Sequence, residues 1–369
     1  MAEVTNYIDR LVAELCPDGV EYRPLGELLG YEQPTKYLVS SKDYDDSYPT
    51  PVLTAGKTFI LGYTNETEGI YPASKEEPVI IFDDFTTAFK WVEFPFKAKS
   101  SAMKMLTLKS GNNSLFKYVY YAMQCIVYNS SDHARQWISK YSNIEVPVPP
   151  LEIQEAIVEI LDKFTNLEAE LEAELEARTL QYEYYRDSLF EALDCPRVSL
   201  DSFAKIKNGK TYKDFGAGNI PVYGSGGIMT YVDRFAYDKP TVLIPRKGSL
   251  GNLFYLEEPF WNVDTIFYTE IDEEQVIPKF LYYFLRTAHL EDLNTAGGVP
   301  SLTQKVLNKV LVPVPSLEEQ QRIVDILDRF DALTSSLSEG LPAELAARRS
   351  QYEYYRDQLL TFPRKGENQ

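Results

Sequence analysis

The chain has 369 residues, 44% hydrophobic and 25% charged, enough for one to three domains that each bury a core. Three scattered cysteines exclude a disulfide framework, and two histidines with no Cys or His at ligand spacing exclude a zinc site. The net charge of −18 disfavours nucleic acid only as an average: residues 146–198 hold 4 basic and 13 acidic side chains, whereas residues 199–311 hold 12 and 13.

The first residues, MAEVTNYIDRLVAEL, predict an amphipathic helix. They lack the basic and apolar regions of a secretory signal. No apolar run approaches the ~18 residues of a membrane span. The expectation is a soluble, cytoplasmic protein.

Residues 20–145 carry short β-rich runs such as Pro78–Phe82, divided by Gly, Pro, Asn and Asp turns, and finish with the aromatic helix Leu115–Cys125. Thr54-Ala55-Gly56-Lys57-Thr58 ends like a phosphate-binding loop. The cradle also needs a glycine five positions before Gly56, where this chain has Pro51, so no nucleotide site is expected. The polar groups of this region are Thr35, Lys36 and Tyr37; Lys57 and Thr58; Thr86, Thr87 and Lys90 in FDDFTTAFK; and His133 and Arg135. Asp83 and Asp84 can accept from a base or hold a metal, or simply end a strand.

Val146-Pro147-Val148-Pro149 must be extended, because alternating proline forbids helix. From Leu151 to about Leu193 no Gly or Pro intervenes, and Ile157, Leu161, Phe164, Leu171, Leu175, Tyr182 and Tyr185 recur at steps of three, four and seven. This describes one long helix of coiled-coil type. It contains a tandem EAEL unit, each copy adding about 6 Å.

Residues 198–311 repeat the β-rich layout, with runs at Thr241–Ile244 and Thr265–Thr269 and a closing aromatic helix at Lys279–Leu285. Basic and polar groups string along Gly-containing segments predicted as loops. The first carries Lys207, Asn208, Lys210, Tyr212 and Lys213. The second, Tyr223–Gly227, carries Ser225, Gly226 and Gly227. The third carries Arg246, Lys247 and Ser249, and the fourth Thr295, Gly297 and Gly298. Lys, Ser and Thr suit phosphate oxygens, and Arg, Asn and Lys also suit base edges, so an anionic partner is expected.

Val312-Pro313-Val314-Pro315 repeats the Val146–Pro149 motif 166 residues on: VPVPPLEIQEAIVEILDKF returns as VPVPSLEEQQRIVDILDRF, and both copies reach the heptapeptide QYEYYRD, at 181–187 and 351–357. Ile323, Leu327, Phe330, Tyr352 and Tyr355 occupy the matching apolar positions. Here Ser338-Glu339-Gly340-Leu341-Pro342 predicts a stop and restart, with helices from about Leu317 to Leu337 and Ala343 to Thr361. The segments predicted are 1–145, 146–197, 198–311 and 312–369: an α+β chain of two α/β sheet domains alternating with helical spacers, with an internal pseudo-two-fold repeat.

This alternation, with the VPVP-led helices, the EAEL repeat, QYEYYRD, YGSGG and IPRKGS, resembles the specificity subunit of type I restriction–modification systems over essentially the whole chain. The resemblance implies two target recognition domains, each reading half of a split site in double-stranded DNA, and spacers pairing as an antiparallel coiled coil that sets the gap. It implies docking of two modification and two restriction subunits. S-adenosylmethionine, ATP and Mg²⁺ would serve those partners, and this chain would carry no catalytic residue, no metal and no cofactor. The other readings are a coiled-coil scaffold whose domains bind protein or glycan, and an ATPase built on Gly56-Lys57-Thr58.

Overall fold

Each VPVP segment forms an edge strand, and that pairing closes a domain onto its spacer. The computed structural model describes residues 2–56, 58–128, 134–294, 298–334 and 340–366. The chain divides into two compact units. Unit 1 comprises residues 1–169 and 347–369, and unit 2 comprises residues 170–346.

Unit 1 opens with α1 (Ala2–Leu15), β1 (Tyr22–Pro24) and the short α2 (Leu25–Leu28). A four-stranded antiparallel sheet follows, in the order β2 (Leu29–Glu32), β8 (Met103–Leu108), β5 (Val79–Asp83), β6 (Phe89–Val92). Beside it lies a three-stranded sheet in the order β4 (Ile60–Thr64), β3 (Thr50–Leu53), β7 (Lys97–Ala98). Helix α3 (Phe116–Gln124) leads to β9 (Glu145–Pro147), which pairs antiparallel with β1, and then to α4 (Leu151–Glu191).

Unit 2 repeats this topology. After β10 (Arg197–Ser199), a four-stranded sheet runs β11 (Ala204–Asn208), β17 (Ile266–Ile271), β14 (Thr241–Pro245), β15 (Phe254–Leu256). Its three-stranded sheet runs β13 (Gly227–Val232), β12 (Ile220–Gly224), β16 (Trp261–Asn262). The helices are α5 (Pro278–Leu285) and the one-turn α6 (Gln304–Leu307), and β18 (Leu311–Pro313) pairs with β10 before α7 (Leu317–Thr334) and α8 (Gly340–Leu359).

The sequences of β5 and β14 are continuously apolar because both faces are covered. In unit 1, Ile80 and Phe82 face α3 and the spacer residues Ile153, Ile157 and Leu161. Val79 and Ile81 face Leu53 and Ala98 of the smaller sheet, and Phe96 beside it. In unit 2, Val242 and Ile244 pack with α5 and with Ile323 and Leu327, while Leu243 packs with Phe260 and Tyr223.

The spacer repeats cross over. Phe164, from the start of the first, stacks on Tyr355 from the end of the second, with centroids 5.8 Å apart, and lies 6.4 Å from Tyr352. Arg349 reaches Glu168 at 2.6 Å, so α4 and α8 run antiparallel there. In unit 2 Phe330, from the start of the second repeat, meets Tyr185 at 5.8 Å and Tyr182 at 6.3 Å. Leu171 and Leu175 are half-buried.

Much of the repeated sequence seats a domain on its spacer. Gln154 accepts from Leu115 N and donates to Pro149 O; Gln320 accepts from Ile277 N and donates to Pro315 O. Asp162 accepts the Tyr121 hydroxyl, and Asp328 accepts the Tyr283 hydroxyl at 2.5 Å and Lys279 at 2.8 Å. Burial, and then these carboxylates, push both phenols well above the usual tyrosine range, so each stays a neutral donor. Asp328→Ala strands a buried hydroxyl and is expected to cost about 1–3 kcal/mol. Thermal denaturation of Asp328→Ala against Asp328→Asn checks it, the amide keeping an acceptor.

The break in the second spacer is where the sequence placed it. Gly340 has φ +76°, and a Cβ there would lie 2.5 Å from Ala332 O, so only glycine fits. Helix α8 starts at Gly340 rather than at Ala343, taking Pro342 into a first turn that needs no amide donor from it. The expected end of α7 at Leu337 lies outside the described residues.

Candidate nucleic-acid interface

In unit 2 three of the four basic segments converge on one stretch of backbone, Asn262–Thr265, which joins the two sheets. Lys210 N donates to Asn262 O at 2.9 Å, and Trp261 Nε1 donates to Lys210 O at 2.9 Å. Gly209 passes so close to Val263 O that a Cβ would sit 2.0 Å from it. Val263 N donates to Tyr223 O at 3.0 Å, and Ser225 N to Thr265 Oγ1 at 3.3 Å. Arg246 N and Lys247 N both donate to Thr265 O, at 2.9 and 3.2 Å. The chain that follows the fourth segment is tied to the third, Gly248 N donating to Pro300 O at 3.0 Å and Leu302 N to Arg246 O at 2.9 Å.

Two of the predicted loops are partly strand. Lys207 and Asn208 lie on β11, where pairing with β17 supplies their backbone partners, and Lys207 forms an ion pair with Glu270 at 3.0 Å. Tyr223–Gly227 is a hairpin whose turn is Ser225-Gly226, with Gly227 at φ +110°. Lys210, Lys213, Lys247, Ser249, Gly226 and Gly298 are exposed, and Tyr212 and Ser225 are half-buried. Arg246 is half-buried over the Phe267 ring at 5.8 Å and donates to Asp264 O at 3.4 Å. Thr295 and Gly297 lie outside the described residues.

Unit 1 builds the equivalent place with different chemistry. Lys99 N donates to Leu53 O at 3.0 Å, Asp84 N to Ala102 O at 3.0 Å, and Gln136 N to Asp84 O at 2.8 Å. This gathers the Thr54–Phe59 turn with Thr58, the turn with Thr86 and Thr87, and the segment with Arg135. Thr35, Lys36 and Tyr37 form a short helix that also packs along β7 and β8. Lys36 pairs with Glu32 at 2.8 Å, which also accepts the Tyr37 hydroxyl. Lys57 and His133 lie outside the described residues.

Lys90 lies on a strand rather than in one of these turns. It sits on β6 in a hollow of about 500 Å³ lined by Tyr120, Gln124, Glu168, Arg349 and Tyr352, beside the spacer. Its partner on β5 is Ile81, which faces the smaller sheet, so alternation puts the Lys90 side chain on that side of the edge strand while β6 borders the hollow.

Strand register makes Asp84 the counterpart of Arg246 and Lys104 the counterpart of Phe267. Asp84 and Lys104 are buried against each other, Nζ to Oδ2 at 3.1 Å, and Asp84 Oδ1 accepts Trp137 N at 2.8 Å. The Lys–Asp contact is a charge contact outside hydrogen-bond geometry. Asp84 is therefore internal structure rather than a base acceptor, and Lys104 is a member of the cluster that the sequence pattern did not single out. Its only signal was a lysine inside an apolar strand, MKMLTL. Among the described residues no cluster of three His, Cys, Asp or Glu side chains could hold a metal ion.

The sequence profile described as the type I restriction modification DNA specificity domain matches residues 17–177 and 194–347. The chain is 45% identical to the type I restriction enzyme EcoR124I/EcoR124II specificity subunit of Escherichia coli, over 97% of this chain and 98% of that one. It is 29% identical to a putative type I restriction enzyme specificity subunit of Haemophilus influenzae, over 93% and 96%. Its fold is similar to the type I restriction–modification S subunit of M. genitalium, with TM-score 0.58 and 18% identity over 93% of this chain and 96% of that one.

Proposed function

The chain belongs to the DNA specificity subunits of type I restriction–modification systems, and from that membership we infer that it reads a split site in duplex DNA. Each unit reads one half. The observation that carries this is the gathering of Lys210, Ser225, Arg246 and Lys247 on the Asn262–Thr265 backbone, matched by an equivalent but chemically different place in unit 1. Phosphate contacts from lysines position the duplex and side chains on base edges specify it. The different residues at equivalent positions support two different half-sites.

The chain assembles with modification and restriction subunits, two of each. Adenine methylation, ATP hydrolysis and cleavage reside in those partners, which use S-adenosylmethionine, ATP and Mg²⁺, and the complex works in the cytoplasm of a prokaryote. No helix among the described residues is long and apolar enough to cross a membrane. Much of the phosphate contact comes from the partners, which explains how a chain of net charge −18 serves DNA.

Co-expression with the modification subunits, followed by sequencing that detects methylated adenine, tests the reading. The expected result is one discontinuous motif with a fixed gap, and binding that falls steeply with salt. A complex that methylates no split site would sink it. One further EAEL unit adds about 6 Å of helix against about 3.4 Å per base pair, so the gap should lengthen by one or two pairs with both half-sites unchanged. The same methylation map checks this.

A further inference from the structure

Hairpins β3–β4 and β12–β13 break register at the same step. In unit 1 Val52 faces Gly62 and Leu53 faces Ile60, leaving Leu61 as the extra residue. In unit 2 Val222 faces Thr230 and Tyr223 faces Ile228, leaving Met229. Regular alternation would send one member of each pair inward, and a bulge suspends that rule. All four side chains face solvent: Ile60 is 37% exposed, Leu61 40%, Ile228 50% and Met229 57%.

The polar residues around these hairpins do not correspond between the units, as Arg246 and Asp84 show, yet the exposed aliphatic pair recurs at the same bulge. Neither pair belongs to a buried apolar cluster. Both are continuous with the candidate DNA surface. A Cβ on Gly224 would meet Met229 Sδ at 2.8 Å and Thr265 Oγ1 at 3.4 Å, so Met229 lies beside the threonine that anchors Ser225, Arg246 and Lys247. Ile60 directly follows the Thr54–Phe59 turn, whose ends are joined by Thr54 N to Phe59 O at 2.9 Å.

We propose that Ile60–Leu61 and Ile228–Met229 are the apolar arm of base readout, each pair packing on thymine 5-methyl groups in its own half-site. The major groove offers one apolar feature that distinguishes base pairs, and it is that methyl. The surrounding lysines hold phosphate and position the pair. The proposal rests on the reading of the chain as a DNA specificity subunit.

The test uses the complete complex with its modification subunits and split-site duplexes in which single thymines are replaced by deoxyuridine, which removes only the 5-methyl. For the wild type, at least one replacement in the second unit's half-site should weaken binding by about three- to tenfold. In Ile228→Ser/Met229→Ser that replacement should have no further effect, methylation should relax at that base pair, and the other half-site should be read as before. Ile60→Ser/Leu61→Ser should do the same in the first half-site. The single Met229→Gln, which keeps side-chain length, guards against a folding defect, and melting midpoints should not move.

Insensitivity of the wild type to deoxyuridine in both half-sites overturns the proposal. So does a variant that keeps the wild-type sensitivity, or one that loses assembly with unchanged base discrimination, which assigns the pair to protein docking. In each case the wild-type complex still methylates its split site and the specificity reading stands. A wild type that methylates none fails at that earlier level.

Discussion

Replacing Lys104 with methionine is expected to destabilise unit 1 by about 3–5 kcal/mol. The Lys104 ammonium and the Asp84 carboxylate are 1% and 0% exposed and 3.1 Å apart. With the cation gone, the buried carboxylate keeps the Trp137 amide but loses its counter-charge. Removing one member of a buried pair costs far more than removing both. The double substitution Lys104→Met/Asp84→Leu should therefore recover much of the loss. Thermal or urea unfolding of the full chain reads this. A single-variant loss under about 1 kcal/mol would mean that the pair is hydrated or dispensable. Because the pair underlies the turn carrying Thr86 and Thr87, the same variant should weaken discrimination at the first half-site only.

The second large effect is expected from Gly209→Ala. The added methyl would lie 2.0 Å from Val263 O and 2.6 Å from Asn262 O, both backbone atoms that no rotamer change can move aside. The β11 end and the Asn262–Thr265 stretch must separate, which breaks the Lys210 N to Asn262 O bond and displaces the anchors of Ser225, Arg246 and Lys247. Binding of the assembled complex to its split site should fall by about tenfold or more, with discrimination lost in the second half-site and kept in the first. Gly251→Ala is the control, since nothing lies within 4 Å of its Cβ position. Equal binding by Gly209→Ala and wild type would show that this close approach does not organise the surface.

The two effects fall in different units because each unit closes its own core around a different part of the duplicated sequence. Identical residues in the two spacers are explained largely within the chain: Gln154 and Gln320, Asp162 and Asp328, and Phe164 and Phe330 perform the same seating in each unit. Some repeated residues remain outside that account. Tyr184 and Tyr354 are exposed in both copies, touching their neighbours Tyr185 and Tyr355 edge-on.

The sequence by itself determined the duplication, the α4 and α7 helices, the break at Gly340, the strands β5, β14 and β17, and the aromatic helices α3 and α5. These depend on local periodicity, on proline and on glycine, which act over a few residues. It also named Lys210, Ser225, Arg246 and Lys247 as polar groups on glycine-containing segments. Only the tertiary structure decided which of them share a surface, because that depends on strand register between segments far apart in the chain: Lys210, Tyr223 and Arg246 meet on Asn262–Thr265, whereas Lys90 is held on the edge strand β6 opposite Ile81. Register likewise buried Asp84 against Lys104, which no spacing in the sequence could pair, and crossed the repeats so that Phe164 packs on Tyr355 and Phe330 on Tyr185. The physical reason is that a strand's partner is chosen by the burial of whole faces, a property of the assembled sheets and helices rather than of any one segment.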